Sequence, residues 1–359
     1  MSESKLNVGI IGATGYVGQR FVTLLENHPW FSVAKLAASA NSAGKTYEES
    51  VRNRFKLELP IPEYVKNMPV YDIAETAEFC DGLDFVFCAV NMRKGEIRVL
   101  EEKIAKLEVP VVSNNSAFRE REDVPIIIPE INPEHSKIIE VQRKNWGTKR
   151  GFIAAKPNCS IQSYVPALTP LRSYGIDKIS VCTYQAISGA GKVLADTPEI
   201  LGNVVPFIGG EEEKSESEPL KVWGTLTGEA IVSAKDIAIS AQCYRVPVQE
   251  GHTAAVSVTF NNKITKGKII NIWESYVPEI YKYKLPSAPK KFLTYLDKDN
   301  RPQPLLDANI GNGMGISIGR LREDNIFDYK FACLSHNTIR GAAGGAVLTA
   351  ELLKVQGYL

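Results

Sequence analysis

The chain has 359 residues, 44% of them hydrophobic and 23% charged, which is too apolar for a disordered chain and, at roughly 100–200 residues per domain, enough for two domains. Its 42 Lys+Arg against 41 Asp+Glu leave a net charge of +1, which argues against an electrostatically driven nucleic-acid or membrane-surface binder. No apolar run approaches the roughly 18 residues of a membrane span, and no secretory h-region precedes the first apolar run, so the cytoplasm is the expected compartment.

Residues 6–11 read as a buried strand, 15–27 as a helix and 31–38 as a second strand. Residues 84–90 and 110–113 read as later strands, with a helical pattern at 94–107 between them. This alternation predicts βαβ units, and hence an α/β Rossmann-type parallel sheet with its strand C-termini along one ligand-binding edge. The pattern changes after about residue 158. Residues 178–186, 238–248 and 254–260 read as longer strands, the last two separated by a short turn at 249–251. That predicts a second, α+β domain around a mixed or antiparallel sheet. The acidic, serine-containing stretch 209–219 reads as a surface loop, 284–291 as a connector and 338–356 as a helix.

None of the six cysteines forms a Cys-x-x-Cys pair, and there are only four histidines, so no metal site is expected. Cys80, Cys88, Cys182, Cys243 and Cys333 lie in or beside apolar, strand-like runs and read as small buried hydrophobes. Cys159 does not.

Gly12, Gly15 and Gly18 follow the first strand and open the first helix. The first two allow a tight turn and a close approach of backbone N–H groups to a pyrophosphate; the third allows close helix–strand packing. The second strand runs into Ser39-Ala40-Asn41-Ser42-Ala43-Gly44-Lys45, with no acid where an NAD site accepts hydrogen bonds from ribose hydroxyls. Ser39, Ser42 and Lys45 offer donors and a positive charge to a 2′-phosphate, which points to NADP(H).

Lys156-Pro157-Asn158-Cys159-Ser160 falls where the alternation stops, before a helical run at 161–168. Cys159 would then lie at a helix N-terminus, where the dipole favours the nucleophilic thiolate. His252, after a turn and at a strand entrance, is a candidate general base. Arg245, in an alternating strand, is a candidate clamp for a carboxylate.

Six short segments carry a resemblance, in this order: 12–18, 113–119 (SNNSAFR), 158–160 (NCS), 185–191 (QAISGAG), 242–252 (QCYRVPVQEGH) and 335–345 (SHNTIRGAAGG). Through them the chain resembles the aspartate-β-semialdehyde dehydrogenase family, particularly its archaeal and fungal forms. The resemblance implies that Cys159 forms an acyl-thioester, that His252 is the acid/base and that Gln185 orients the intermediate. It also implies that Arg245 binds the substrate α-carboxylate, that Glu218 contacts the amino group, and that Arg119 and Lys221 hold the phosphate. Asn158 beside the nucleophile fits the same amino-acid substrate. Thr14, Gly15, Tyr16 and Val17 match the pyrophosphate loop; Ser188, Gly189 and Asn337 match contacts to the nicotinamide end. The implied organisation is an NADP-binding domain over 1–157, completed by a C-terminal helix at 338–359, and a catalytic and dimerisation domain over 158–337, in a homodimer or homotetramer. The implied reaction is reduction of L-aspartyl-4-phosphate by NADPH to the semialdehyde, releasing phosphate, in lysine, threonine, methionine and isoleucine biosynthesis. The alternative on the same scaffold is a malonyl-CoA or succinyl-CoA reductase.

Overall fold

The computed structural model describes residues 4–359. The first sheet has six strands: β1 (Leu6–Ile11), β2 (Phe31–Ala38), β3 (Val70–Asp72), β4 (Phe85–Cys88), β5 (Val111–Ser113) and β6 (Ile153–Ala155). Their order is β3-β2-β1-β4-β5-β6, and every pairing is parallel. A parallel sheet is covered on both faces, so its central strands are mostly apolar; all four residues of β4 (FVFC) are buried. The order reverses between β1 and β4, which opens a crevice beyond their C-terminal ends. Helix α1 (Tyr16–Leu24) starts there, and α2 (Lys94–Lys106) packs on the opposite face of the sheet from the C-terminal helix.

The second sheet also has six strands, in the order β10-β7-β11-β14-β13-β12. In chain order they are β7 (Ile176–Gln185), β10 (Ala238–Arg245), β11 (His252–Phe260), β12 (Leu293–Leu296), β13 (Ile316–Glu323) and β14 (Tyr329–Ser335). A separate ribbon pairs β8 (Thr225–Leu226) with β9 (Ile231–Val232). The sheet is mixed, as expected: β10 runs parallel to β7 and β12 to β13, while β7–β11, β11–β14 and β13–β14 are antiparallel. The turn expected at 249–251 does not make a hairpin, because β7 lies between β10 and β11 and pairs with both. That insertion brings the ends of β7 and β10 and the start of β11 to the same edge.

The acidic stretch 209–219 is not a loop. It forms most of helix α4 (Glu211–Val222), which follows α3 (Ile161–Leu168). Its buried stripe includes Glu211, Ser215 and Glu218, polar residues at helical spacing, so a search for apolar periodicity passes over it. Glu212 and Glu216 accept hydrogen bonds from the Cys243 and Ala241 N–H groups and so cover the free edge of β10. One cysteine expectation also changes: Cys182 is half-buried in β7; Cys80 is buried as expected, at the end of a short helix, Thr76–Cys80.

At the C-terminus a π turn (Ile339–Ala343) leads into α5 (Gly344–Val355). Ala346, Val347, Leu348, Leu352 and Leu353 share one core with Val8, Ile10, Phe85 and Phe87, so the end of the chain packs against the first sheet. Leu352→Ala is expected to destabilise the fold by about 2–5 kcal/mol, measured by urea denaturation.

Candidate active site

Cys159 lies between β6 and α3, whose N-cap is Ser160. The Asn158 side-chain Oδ1 accepts from the Ser160 N–H (2.7 Å) and hydroxyl (2.6 Å), which fixes the turn that carries the sulfur. The π turn presses on its other side: a Cβ at Gly341 would come within 2.9 Å of the Cys159 Cβ.

The Cys159 Sγ is 3.4 Å from His252 Nε2, the first side chain of β11. His252 Nδ1 accepts from the Ala186 N–H at 3.0 Å. A ring nitrogen that accepts from a backbone N–H carries no proton, so the neutral imidazole holds its proton on Nε2, facing the sulfur. The Ala186 carbonyl accepts from Arg245 at 2.7 Å, so one residue orients both side chains. Gly189 leaves room for this approach: a Cβ there would lie 3.0 Å from the Arg245 guanidinium and 3.1 Å from His252.

Burial, followed by the Arg245 charge, pushes His252 down to about 3. Burial, followed by repulsion from Glu211, pushes the Cys159 thiol up to about 11, against the pull of Lys156, Arg245 and Arg119. The ligand-free pair is therefore a neutral thiol beside a neutral imidazole. The thiolate expected from the helix N-terminus does not form here, because desolvation outweighs the cations around it.

The other substrate candidates form a buried network. Glu218 pairs with Arg119 at 2.8 Å and accepts from the Asn158 N–H at 2.6 Å. Arg119 also donates to the Asn114 carbonyl at 2.7 Å, while its Nε is buried with no partner among the described residues. Lys221 donates to the carbonyls of Arg119, Arg121 and Val124, so its ammonium is engaged with backbone. A cavity of about 230 Å³ opens beside them, lined by Ser116, Arg119, Lys214, Glu218 and Lys221. Gln185, at the end of β7, is buried and takes a hydrogen bond from Thr183 at 3.2 Å.

The cofactor candidates divide into two groups. At the switch point, a Cβ at Gly12 (φ +84°) would collide with the Ala89 carbonyl, and one at Gly18 with the Gly12 carbonyl. Helix α1 starts at Gly15 with no side-chain cap and no acid in its first turn, so its N–H groups remain available to an anion. Thr14, Gly15 and Val17 surround this start, and the Thr14 carbonyl accepts from Gln19. The cradle fits a dinucleotide pyrophosphate. Tyr16, Ser188 and Asn337 meet around Glu250: Tyr16 donates to it at 2.7 Å, Ser188 at 2.8 Å, and Asn337 donates to Ser188 at 2.8 Å. The adenosine end departs from expectation. Ser39 and Lys45 are exposed, but Ser42 is fully buried, and its hydroxyl accepts from Arg54 at 3.0 Å.

Sequence reasoning missed Glu211, Glu250 and Lys156. Glu250 lies inside a segment that was singled out, one position before Gly251-His252, but only the fold brings Tyr16, Arg20 and Ser188 to it. Lys156 is fully buried beside the nucleophile loop, its ammonium donates to the Pro157 carbonyl, and burial pushes it down to about 7.

A dinucleotide-type sheet with a cysteine–histidine pair at its catalytic edge defines an oxidoreductase architecture. Residues 7–139 match the family described as "Semialdehyde dehydrogenase, NAD binding domain", and 168–340 match "Semialdehyde dehydrogenase, dimerisation domain". The chain is 42% identical to an aspartate-semialdehyde dehydrogenase of Archaeoglobus fulgidus, over 97% of this chain and 98% of that one. It is 39% identical to one from Saccharomyces cerevisiae, over 98% of each. A crystal structure of the Candida albicans aspartate semialdehyde dehydrogenase with NADP superposes with a TM-score of 0.89 at 36% identity, covering 99% of this chain and 100% of that one. The chain belongs to the aspartate-semialdehyde dehydrogenase family, on the side of its archaeal and fungal members.

In the ligand-free protein, iodoacetamide alkylation of Cys159, followed by peptide mass spectrometry, is expected to be slow at pH 7. The rate should rise about tenfold per pH unit as the thiol ionises, because the thiolate is the reacting form. A plateau below pH 8 would contradict the neutral pair.

Proposed function

We propose that the protein reduces L-aspartyl-4-phosphate with NADPH to L-aspartate 4-semialdehyde and phosphate, a step toward lysine, threonine, methionine and isoleucine. The carrying observation is the 3.4 Å approach of Cys159 to His252, with Arg245 hydrogen-bonded to the same Ala186. Arg245 takes the α-carboxylate in two-point fashion. Glu218 offers a carboxylate to the amino group, and Arg119 turns its unpartnered Nε to the phosphoryl group. Lys221 adds positive charge from behind, through the carbonyls it binds. Gln185 and Asn158 hold the acyl group over the sulfur.

Cys159 attacks the acyl carbon. The C–S bond forms, the C–O bond to the phosphoryl group breaks, and the thiol proton leaves on the phosphate. The cations near the leaving group offset its charge. His252 points its Nε2–H at the reacting centre and stabilises the carbonyl oxygen as it gains charge. NADPH, when bound, supplies the hydride that reduces the thioester carbon. The oxygen then re-forms its double bond, the C–S bond breaks, and the sulfur leaves as a thiolate that accepts from the Nε2–H as the semialdehyde departs; a proton from solvent restores the thiol.

Gly12, Thr14, Gly15, Tyr16 and Val17 bind the pyrophosphate; Ser188, Gly189 and Asn337 face the nicotinamide end. Ser39 and Lys45 are exposed at the end of β2 and suit a 2′-phosphate, with Ser42 positioning Arg54 behind them. We take 1–157 with the C-terminal helix as one domain, supported by their common core, and 158–337 as the other. The second domain pairs with a second copy, supported by exposed Leu201, Val204, Phe207 and Tyr184 around its β10 side. Six free thiols fit a reducing, cytoplasmic setting.

The direct test is phosphate-dependent oxidation of aspartate semialdehyde with NADP and NAD in parallel, and reduction of aspartyl phosphate beside malonyl-CoA. Aspartyl phosphate with NADPH is the expected pair; turnover of malonyl-CoA alone would overturn the reading. Cys159→Ala should lower kcat by about a thousandfold or more while NADP still binds, and Cys159→Ser should keep a trace. Arg245→Leu should raise KM and lower kcat by about tenfold or more each, because a misaligned substrate loses its attack geometry.

A further inference from the structure

Glu211 is the first residue of α4 and is buried, yet nothing in the reaction as described uses it. One of its oxygens accepts from the Asn158 amide at 2.9 Å and from Lys214 at 2.8 Å. The other accepts from the same Asn158 amide at 3.0 Å and from the Gln185 amide at 3.0 Å. The carboxylate thus ties the loop after β6, in the first sheet, to the end of β7, in the second.

We propose that Glu211 is a positioning residue for this reaction: its buried carboxylate holds the Asn158 and Gln185 amides in the orientation that aims Cys159. The proposal rests on the reaction given above and adds the group that organises it.

The amide chemistry leaves little freedom. The Asn158 Oδ1 already accepts from the Ser160 N–H and hydroxyl, so its NH2 must face Glu211. The Gln185 oxygen accepts from Thr183, so its NH2 faces Glu211 as well. Two NH2 groups converge on one carboxylate, which accepts from both without donating. A glutamine at 211 has the same shape but only one acceptor oxygen. Its own NH2 would meet at least one of the facing NH2 groups, and the displaced amide would have to rotate and give up its partner. If Asn158 rotates, the Ser160 bonds that fix the nucleophile turn are lost.

The charge leaves a second signature. Burial by itself would raise the Glu211 carboxyl, but Lys214, Asn158 and Gln185 more than offset it, so the group is ionised at neutral pH. The acids near Cys159 are Glu211 and Glu218, the latter paired with Arg119 and bound to the Asn158 N–H; the bases are Arg245, Arg119 and Lys156, which burial pushes down to about 7, and His252 is neutral. Removing Glu211 takes its repulsion away from the thiol while Arg245 and Arg119 stay charged, so the thiol should ionise at lower pH. Loss of packing alone gives no such directed shift.

The experiment compares the wild type with Glu211→Gln. One readout is the pH midpoint of Cys159 alkylation by iodoacetamide, which needs no substrate. The second is kcat with aspartyl phosphate and NADPH, with NADP affinity and Tm as controls for folding. The midpoint should fall by about one pH unit, and kcat should fall by about tenfold to a hundredfold, with NADP affinity unchanged. A more ionised nucleophile that turns over more slowly marks lost positioning. A midpoint that stays or rises, or a kcat within about threefold of wild type, overturns the proposal. If Glu211→Gln does not fold, Glu211→Asp keeps the charge on a shorter arm: kcat should fall while the alkylation midpoint holds, and an unchanged kcat overturns the proposal. A wild type without aspartyl-phosphate turnover would instead refute the reaction; a turning-over wild type matched by its variant refutes only the role of Glu211.

Discussion

The Cys159–His252 contact joins residues 93 positions apart, delivered by different sheets. Cys159 follows the last strand of the first sheet, and His252 opens a central strand of the second. No local propensity can bring them together. They meet because both sheets end at the same place: the parallel sheet contributes the loops after β1, β5 and β6, and the mixed sheet contributes the ends of β7, β10 and β14 and the start of β11. The chain then returns to the first sheet through the π turn, and Gly341 braces the Cys159 backbone from the other side.

Placing these groups at a junction buries them, and burial sets much of their chemistry. An isolated buried charge is costly, so each charged group has partners: Glu218 with Arg119, Glu211 with two amides and Lys214, and Arg340 with Glu130 at 2.6 Å. A few polar atoms in the same region have no partner among the described residues, among them Arg119 Nε and the Asn114 amide. Unmet buried polar atoms beside a cavity are what a polar ligand completes. Burial acts on the nucleophile as well: desolvation raises the thiol and lowers the imidazole, so both are neutral in the ligand-free protein.

How much was legible depended on the type of signal. Four of the six strands of the first sheet were legible in the sequence, and β1 and β2 were read to the residue, because their apolar stretches alternate with a helical pattern; β3 and β6, three residues each, were too short to stand out. The glycine loop was legible for a related reason: at Gly12 a side chain would collide with backbone, so the residue type itself reports the geometry. Helix α4 was not legible. Its buried face carries Glu211, Ser215 and Glu218, which look in one dimension like a solvated acidic loop. Ser42 failed in the opposite sense: it has the chemistry of a phosphate contact, but packing turned its hydroxyl to Arg54.

The sequence by itself determined the alternating sheet, the dinucleotide loop and the identity of the sulfur, the imidazole and the guanidinium, because local backbone sterics and residue chemistry are written one position at a time. Tertiary structure alone decided that β7 would separate β10 from β11, which partner each buried carboxylate would take, and whether the thiol would be ionised. Those outcomes depend on desolvation and on distances between residues far apart in the chain, and neither exists until the two sheets close on each other.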